Sequence, residues 1–351
     1  MALGYNSMAT RLNRTARLRA FIFPAAALAM LAVSGPAFAA AAPEPFVSKF
    51  TLLGMLHKET GLSLADLKPS IDSARFEPNV LARMETPYES RPYADYRPLF
   101  VRKRLAKLGR QYIEDHRAIF QDEWKRYGVE PAMIASILAI ETRFGARQGR
   151  DRVLDTLYTL ATGYPRRADF FRKQLGDYLK MCHAEGLDPD SIDGSYAGAF
   201  GAPQFIPSSY MAYAVDGNGD GRRDVWHSPR DIIFSVANYF HAHGWKARLP
   251  VAHWLASEPT SPALVDQRAK EMQDWKPLQQ LYGAGLKSLP SPWHGDDDVA
   301  LISMQPDTHQ RTAVISRNFY VITRWNRSYN YAMAATELAH MMGCSNCGTG
   351  Q

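Results

Sequence analysis

The sequence predicts a mainly α (α+β) protein: a helical body carrying one small antiparallel β subdomain near its C-terminal end. Three observations carry this expectation. Apolar residues recur at helical spacing from about Pro45 to Met181. Glycine and other small residues dominate from Pro189 to Gly221 and mark loops. From Val299 onward the pattern changes to short strand-like runs joined by polar turn residues. The 351 residues, 46% hydrophobic and 22% charged, suffice for two domains or one large one and exclude a disordered chain.

The chain opens with Arg11, Arg14, Arg17 and Arg19 and no acid before residue 40, followed by an apolar run from Phe21 to Val33 and then Ser34–Ala39. This is the order of a secretory signal, with cleavage expected after Ala39 and Met8 an alternative start. The apolar run is broken by Pro24 and falls short of the ~20 residues a membrane span needs. No cysteine near the cut offers a site for a lipid, so a soluble exported protein is expected. Those four arginines supply most of the net charge of +6, so the basic balance gives no support for nucleic-acid binding. Cys344 and Cys347 are read as a local tail disulfide, and Cys182 as a buried thiol.

The elements follow in order. Phe46, Phe50 and Leu53 begin a helix, and Ser63-Leu64-Ala65-Asp66 resembles a capping box opening a second. Residues 69–98, rich in Pro and Tyr, read as a wrapping loop. Arg102, Lys103, Arg104, Lys107 and Arg110 read as the solvated face of one helix that runs on through Tyr112 and His116 to Tyr127 and stops at Gly128. Residues 230–244 and stretches near 262–282 read as helical. Val299–Met304 and Ala313–Thr323 read as strands. Ser328 caps a last helix, Tyr331–Met342, ended by Gly343.

The most informative helix runs from Pro131, suited to a first helical position, to Gly145, suited to a C-terminal cap. Its apolar face is Met133, Ile134, Ile137 and Leu138, and Glu141 shares that face. Desolvation and the negative end of the helix dipole would both favour the protonated carboxyl, as a general acid requires. A bland reading stands beside this one: Glu141 pairs with Arg143 or Arg147, or sits at the rim.

Two further segments carry chemistry. Gly194–Tyr210 lacks a nucleotide-cradling pattern; its small residues beside Tyr196, Gln204 and Tyr210 suit either a cleft for a flat polar ligand or a tightly packed turn. Asp216-Gly217-Asn218-Gly219-Asp220-Gly221 fits the front of an EF-hand loop, with the Arg222 carbonyl at position seven and Asp224 at nine. His227 stands where a bidentate Glu belongs, so Asp231 is expected to complete the shell of a structural Ca2+ site. His241, His243 and His253 sit in no zinc motif.

Taken in order, Ile140-Glu141-Thr-Arg-Phe-Gly145, Tyr164-Pro-Arg-Arg-Ala168, Gly194-Ser195-Tyr-Ala-Gly-Ala199, Gln204–Tyr210, the 216–231 loop, Ser235–Phe240 and Asn318–Asn326 resemble the membrane-bound lytic murein transglycosylase B family, from about Phe46 to Met342. The resemblance implies a lysozyme-like helical core at 126–249, preceded by the signal at 1–39 and a helical region at 40–125. A small β-containing subdomain at 250–325 and a C-terminal helix and tail at 326–351 would follow. It implies a periplasmic enzyme acting on peptidoglycan strands, with no organic cofactor, no transmembrane span, and cell-wall synthesis or remodelling proteins as possible partners. It implies Glu141 as the one catalytic carboxyl, acid and then base, cleaving the MurNAc–GlcNAc bond with formation of a 1,6-anhydro sugar. Arg166 and Arg167 would border the cleft; Ser195, Gln204, Tyr239, Asn326 and Tyr331 would contact sugars or position the acid. Ala202-Pro203 and Trp325 depart from the family's usual residues, a change expected to bear on sugar contacts and not on the acid. The runner-up is a lysozyme-type hydrolase using Asp169 or Asp193 as a second acid; a glycan-binding module without catalysis is a third reading.

Overall fold

The computed structural model describes residues 44–85 and 92–348, and the secretory signal read at 1–39 lies outside the described residues. Helices α1 (Lys49–Thr60) and α2 (Leu64–Ser73) form as expected, and Ser63 and Asp66 make the reciprocal capping box. The loop expected at 69–98 is largely helical: after the end of α2 come α3 (Pro78–Met84) and α4 (Tyr93–Phe100). Pro78 occupies a first helical position, where its missing N–H costs nothing, and Tyr93 and Tyr96 are buried. The single helix expected to end at Gly128 is two, α5 (Lys103–Asp115) and α6 (Arg117–Tyr127), broken at His116. The break lets α5 pack on α7 (Pro131–Thr142) while α6 packs on α11 (Pro229–Ala242), which one straight rod would not do. The five basic residues from Arg102 to Arg110 are exposed, as read.

A short antiparallel hairpin pairs β1 (Asp151–Arg152) with β2 (Asp193–Gly194). Between these strands run α8 (Val153–Gly163) and α9 (Ala168–Glu185), which pack on each other and bury Leu157, Leu160, Leu175 and Tyr178. α10 (Pro207–Tyr213) follows the glycine-rich loop.

The β subdomain is a four-stranded antiparallel sheet in the order β3 (Ala252–Trp254), β6 (Arg311–Ser316), β5 (Asp298–Met304), β4 (Lys276–Pro277). Helices α12 (Pro262–Lys270) and α13 (Leu278–Gly283) lie between its first strands in sequence. Ala300 and Ile302 join the main helical core, whereas Val299 and Leu301 pack with Leu264, Leu278 and Leu281. Burial on both faces explains why β5 reads as a nearly unbroken apolar run. The strand expected at 313–323 ends at Ser316, whose side chain caps α14 (Arg317–Trp325) by accepting from the Asn318 N–H. The Ser328 cap opens α15 (Tyr329–Met341). Cys344 and Cys347 form the tail disulfide, and Cys182 is buried and free. No helix among the described residues is long and apolar enough to cross a membrane.

Candidate active site

Helix α7 is the axis of the site. Ala132 to Ala139 are all buried, so the stripe expected around Met133, Ile134, Ile137 and Leu138 is the whole circumference. An apolar helix closed in by α5, α11 and α15 can present a polar group only where it emerges. It emerges at Ile140 and Glu141, both partly exposed. It also ends sooner than expected. Arg143, not Gly145, is the C-terminal cap, and Arg143, Phe144 and Gly145 turn left-handed in succession at φ 52°, 60° and 84°. Phe144 N–H donates to the Leu138 carbonyl at 3.0 Å and closes the turn. Thr142 fixes it from the side: its hydroxyl donates to the Ala202 carbonyl at 2.7 Å and accepts the Gly145 N–H at 2.8 Å.

The Glu141 carboxyl meets residues almost two hundred positions later. Trp325 Nε1 donates to Glu141 Oε1 at 2.9 Å, and the Tyr331 hydroxyl donates to the same oxygen at 2.6 Å. Trp325 closes α14 and Tyr331 lies in the first turn of α15, its N–H received by the Ser328 side chain. Asn326 shapes the corner between them: its Oδ1 accepts the Ser328 N–H at 3.1 Å, and it lines an open depression of about 600 Å3 with Arg327–Asn330. Burial, and then the neighbouring Glu141, push the Tyr331 phenol well above its usual range, so it stays a donor.

Aromatic rings hold Trp325 in place. It stacks on Phe240 at 5.7 Å and meets Phe205 at 5.3 Å and Tyr239 edge-on at 4.7 Å. The Tyr239 hydroxyl donates to the Arg324 carbonyl at 2.6 Å, fixing the backbone just before Trp325. Sequence reasoning set Trp325 aside as bearing on sugars alone; the structure places it on the Glu141 carboxyl. The only signal available was its position, directly before Asn326 in the last motif.

The glycine-rich loop lies against the turn after Glu141. Gly149 and Gly194 approach so closely that a Cβ on Gly149 would stand 1.9 Å from the Gly194 carbonyl oxygen. Beyond it, Ser195 Oγ accepts the N–H groups of Ala197 and Ala199. Gln204, at φ 52°, donates through Nε2 to the carbonyls of Gln148 and Gly201, both at 3.0 Å. Ser195 and Gln204 thus shape the loop. Arg166 and Arg167 lie in a short 3-10 turn between α8 and α9, both exposed, with the Arg167 guanidinium 4.2 Å from the Phe170 ring centroid. Glu141, Tyr239, Asn326 and Tyr331 are brought together around Trp325; the arginines belong to the α8–α9 corner. Asp169 pairs with Arg172 on the exposed start of α9, and Asp193 is exposed in β2.

In the 216–231 loop, Asp216 accepts the N–H groups of Gly219, Asp220 and Gly221, and Asp220 accepts that of Arg222. Asp224 accepts from Trp226 and His227. Asp231, fully buried, accepts from Gly217 through one oxygen and from Asp224 through the other, bracketing the loop. The donors are all hard oxygens, as Ca2+ prefers. Among the described residues, however, no three His, Cys, Asp or Glu side chains are grouped to hold a metal.

Comparison with known proteins gives the arrangement a context. Over 243 residues the chain is 38% identical to membrane-bound lytic murein transglycosylase B of Escherichia coli (strain K12), an alignment covering 69% of this chain and 65% of that protein, just under two thirds of its length. The structure matches the Escherichia coli lytic transglycosylase Slt35 in complex with calcium, with TM-score 0.74 and 33% identity, covering 86% of this chain and 94% of the other. It also matches SltB3 of Pseudomonas aeruginosa in complex with NAG-anhNAM-pentapeptide, with TM-score 0.75 and 28% identity, covering 86% and 80%. Residues 47–340 match the family model of the Transglycosylase SLT domain. The family expected from the ordered motifs is the family found: the chain belongs to the Transglycosylase SLT domain family, of the lytic murein transglycosylase B type.

Proposed function

We propose that this protein is a lytic transglycosylase that cleaves the β-1,4 bond between MurNAc and GlcNAc in peptidoglycan, leaving a 1,6-anhydro-MurNAc end. The observation that carries the reading is one carboxyl, Glu141, at the exit of a buried helix, with two donors fixed on a single oxygen. Glu141 protonates the bridging oxygen, and the C1–O bond to the departing GlcNAc breaks through an oxocarbenium-like state that the substrate's own acetamido group can stabilise. The carboxylate then takes the proton from the MurNAc C6 hydroxyl, whose oxygen bonds to C1. Glu141 finishes protonated as it began, so the step is atom-balanced without water. Intramolecular attack of this kind reaches effective molarities of ~10⁵–10⁸ M when well oriented, which removes the need for a second carboxylate.

In this reading Arg166 and Arg167 receive the acidic stem peptides. Ser195 and Gln204 present loop groups to the sugars, and Asn326 and Tyr331 complete the cleft around the acid. The protein acts after export, on periplasmic glycan strands, with partners among the cell-wall synthesis or remodelling machinery. Mass spectrometry of digested sacculi tests the reaction: anhydro ends are expected, and reducing ends would mean a lysozyme-type hydrolase instead.

The 216–231 loop is proposed to take a structural Ca2+ through Asp216, Asn218, Asp220, the Arg222 carbonyl, Asp224 and Asp231, whose side chains would have to draw together around the cation. The cation would stiffen the loop and take no part in bond cleavage. Raising Ca2+ from chelated to ~100 times its Kd is expected to add ~2.7 kcal/mol to folding stability. A thermal midpoint indifferent to Ca2+ removes the metal from this account.

A further inference from the structure

We infer that Arg83 is a positioning residue for glycan binding: from α3 it reaches across to the glycine-rich loop and holds the Tyr196 ring at the tip of the Ser195–Ala199 turn. The inference rests on the reading of this loop as a wall of the cleft, and it adds the group that steadies the wall from outside. The Arg83 guanidinium lies 4.5 Å from the Tyr196 ring centroid, and its Nη1 donates to Asp151 Oδ1 at 2.8 Å. A single contact would leave the head of so long a side chain free to swing. Two contacts, one to a carboxylate and one to a ring, fix it. The carboxylate is well placed for this purpose. Asp151 pairs in β1 with Gly194 of β2, the residue directly before Ser195. Arg83 therefore links the base of the loop to its tip.

Both sides of the contact are anchored on one helix, α8. On the α3 side, the Arg75 N–H donates to Asp155 Oδ1 at 2.7 Å, the Glu77 N–H donates to Thr159 Oγ1 at 2.8 Å, and Val80 is buried. On the loop side, Gly198 at φ 78° presses so closely on α8 that a Cβ there would stand 2.4 Å from Leu157 Cδ2. Asp155, Leu157 and Thr159 all belong to α8, so a single rigid element sets the separation of Arg83 from the loop. Within the turn, the Ser195 N–H donates to the Ala199 carbonyl at 2.7 Å and the Gly198 N–H to the Ser195 carbonyl at 2.9 Å. These bonds fix the backbone, and the guanidinium adds a hold on the Tyr196 side chain. The Arg83 side chain is 48% exposed, and an ion pair that open contributes little to folding. Its consequence falls instead on the shape of the loop that the sugars meet.

The test is a double-mutant cycle of Arg83→Met and Tyr196→Leu, read with a soluble GlcNAc–MurNAc tetrasaccharide carrying stem peptides. Each single variant is expected to raise KM by about 3–10-fold with kcat within about twofold, the signature of lost uniform binding. The double variant should be no worse than the poorer single one, because both changes remove the same contact. A merely structural role would lower the thermal midpoint without separating KM from kcat, and that result would overturn the inference. Single effects that multiply in the double variant would also overturn it, since Tyr196 would then act without Arg83. Ser195→Ala tests the loop reading itself. A KM raised there but unchanged in Arg83→Met sinks the inference alone, whereas a KM unchanged in all three variants sinks the reading of the loop and the inference with it. A second measurement does not depend on turnover: in the Glu141→Gln protein, adding Arg83→Met should weaken calorimetric binding of the tetrasaccharide by about the same 3–10-fold. An unchanged Kd overturns the inference.

Discussion

The two ends of α7 each place glutamates beside a tryptophan, and they treat them in opposite ways. At the N-terminal end Glu130 accepts from Trp245 Nε1 through one oxygen and from the Arg248 N–H through the other, both at 3.0 Å. At the C-terminal end Glu141 receives Trp325 and Tyr331 on the same oxygen. The helix dipole favours an anion at the first end and opposes one at the second. Burial raises the pKa of Glu130, while the donated bonds act against that rise. Nearby Glu123 is the extreme case: fully buried, with one bond from the Val129 N–H and its other oxygen without a partner among the described residues. Its desolvation pushes the pKa up to about 9. Burial alone therefore does not mark the proposed catalytic carboxyl, because the most deeply buried glutamate among the described residues is Glu123. A partly exposed position at the helix exit distinguishes Glu141.

The sharpest way to break this comparison is Glu141→Gln, expected to lower sacculus clearing by about 10³-fold or more while leaving the thermal midpoint nearly unchanged. Clearing at the wild-type rate would make Glu141 another structural carboxyl. Glu123 gives the next largest effect, and its sign is fixed. With a folded pKa above the unfolded one, the folded state binds the extra proton, so the Glu123 contribution is intact below about pH 4.5 and lost as pH rises toward about 9. Glu123→Gln should therefore stabilise the protein by about 2–4 kcal/mol at pH 8 and by nothing measurable at pH 4, read from denaturant melts at each pH. A gain independent of pH would contradict the neutral, buried carboxyl. Glu130→Ala should cost about 1–3 kcal/mol by leaving the buried Trp245 N–H without an acceptor, with activity per folded molecule preserved. Loss of turnover without loss of stability would mean the two ends are not distinct.

Much of this organisation is legible from the residues themselves. The apolar helix ending in Glu141, the Ser63 and Ser328 caps and the strand at Val299–Met304 follow from local chemistry and periodicity. The helices α3 and α4 escaped notice because Pro and Tyr are loop-like in composition; only the packing of Tyr93 and Tyr96 shows that this stretch has a core to join. The turn from β6 into α14 was missed because Ala313–Ile315 and Phe319–Ile322 are both apolar runs, and the polar Ser316-Arg317-Asn318 between them, which caps the helix, was read as part of one strand. The contact between Trp325 and Glu141 bridges 184 positions and depends on how α14 meets α11, which no local pattern encodes.

Arg143 and Phe144 bear side chains in a backbone region that L-amino acids enter at a cost of roughly 1–2 kcal/mol each. In a saturation library at these two positions, glycine should therefore emerge among the most thermostable substitutions. The same substitutions would relax the corner from which Glu141, the proposed acid, emerges, so ranking by heat resistance and ranking by wall-lysing rate should give opposed winners. Directed evolution of this protein for robustness would be drawn toward these positions and would sacrifice catalysis there first.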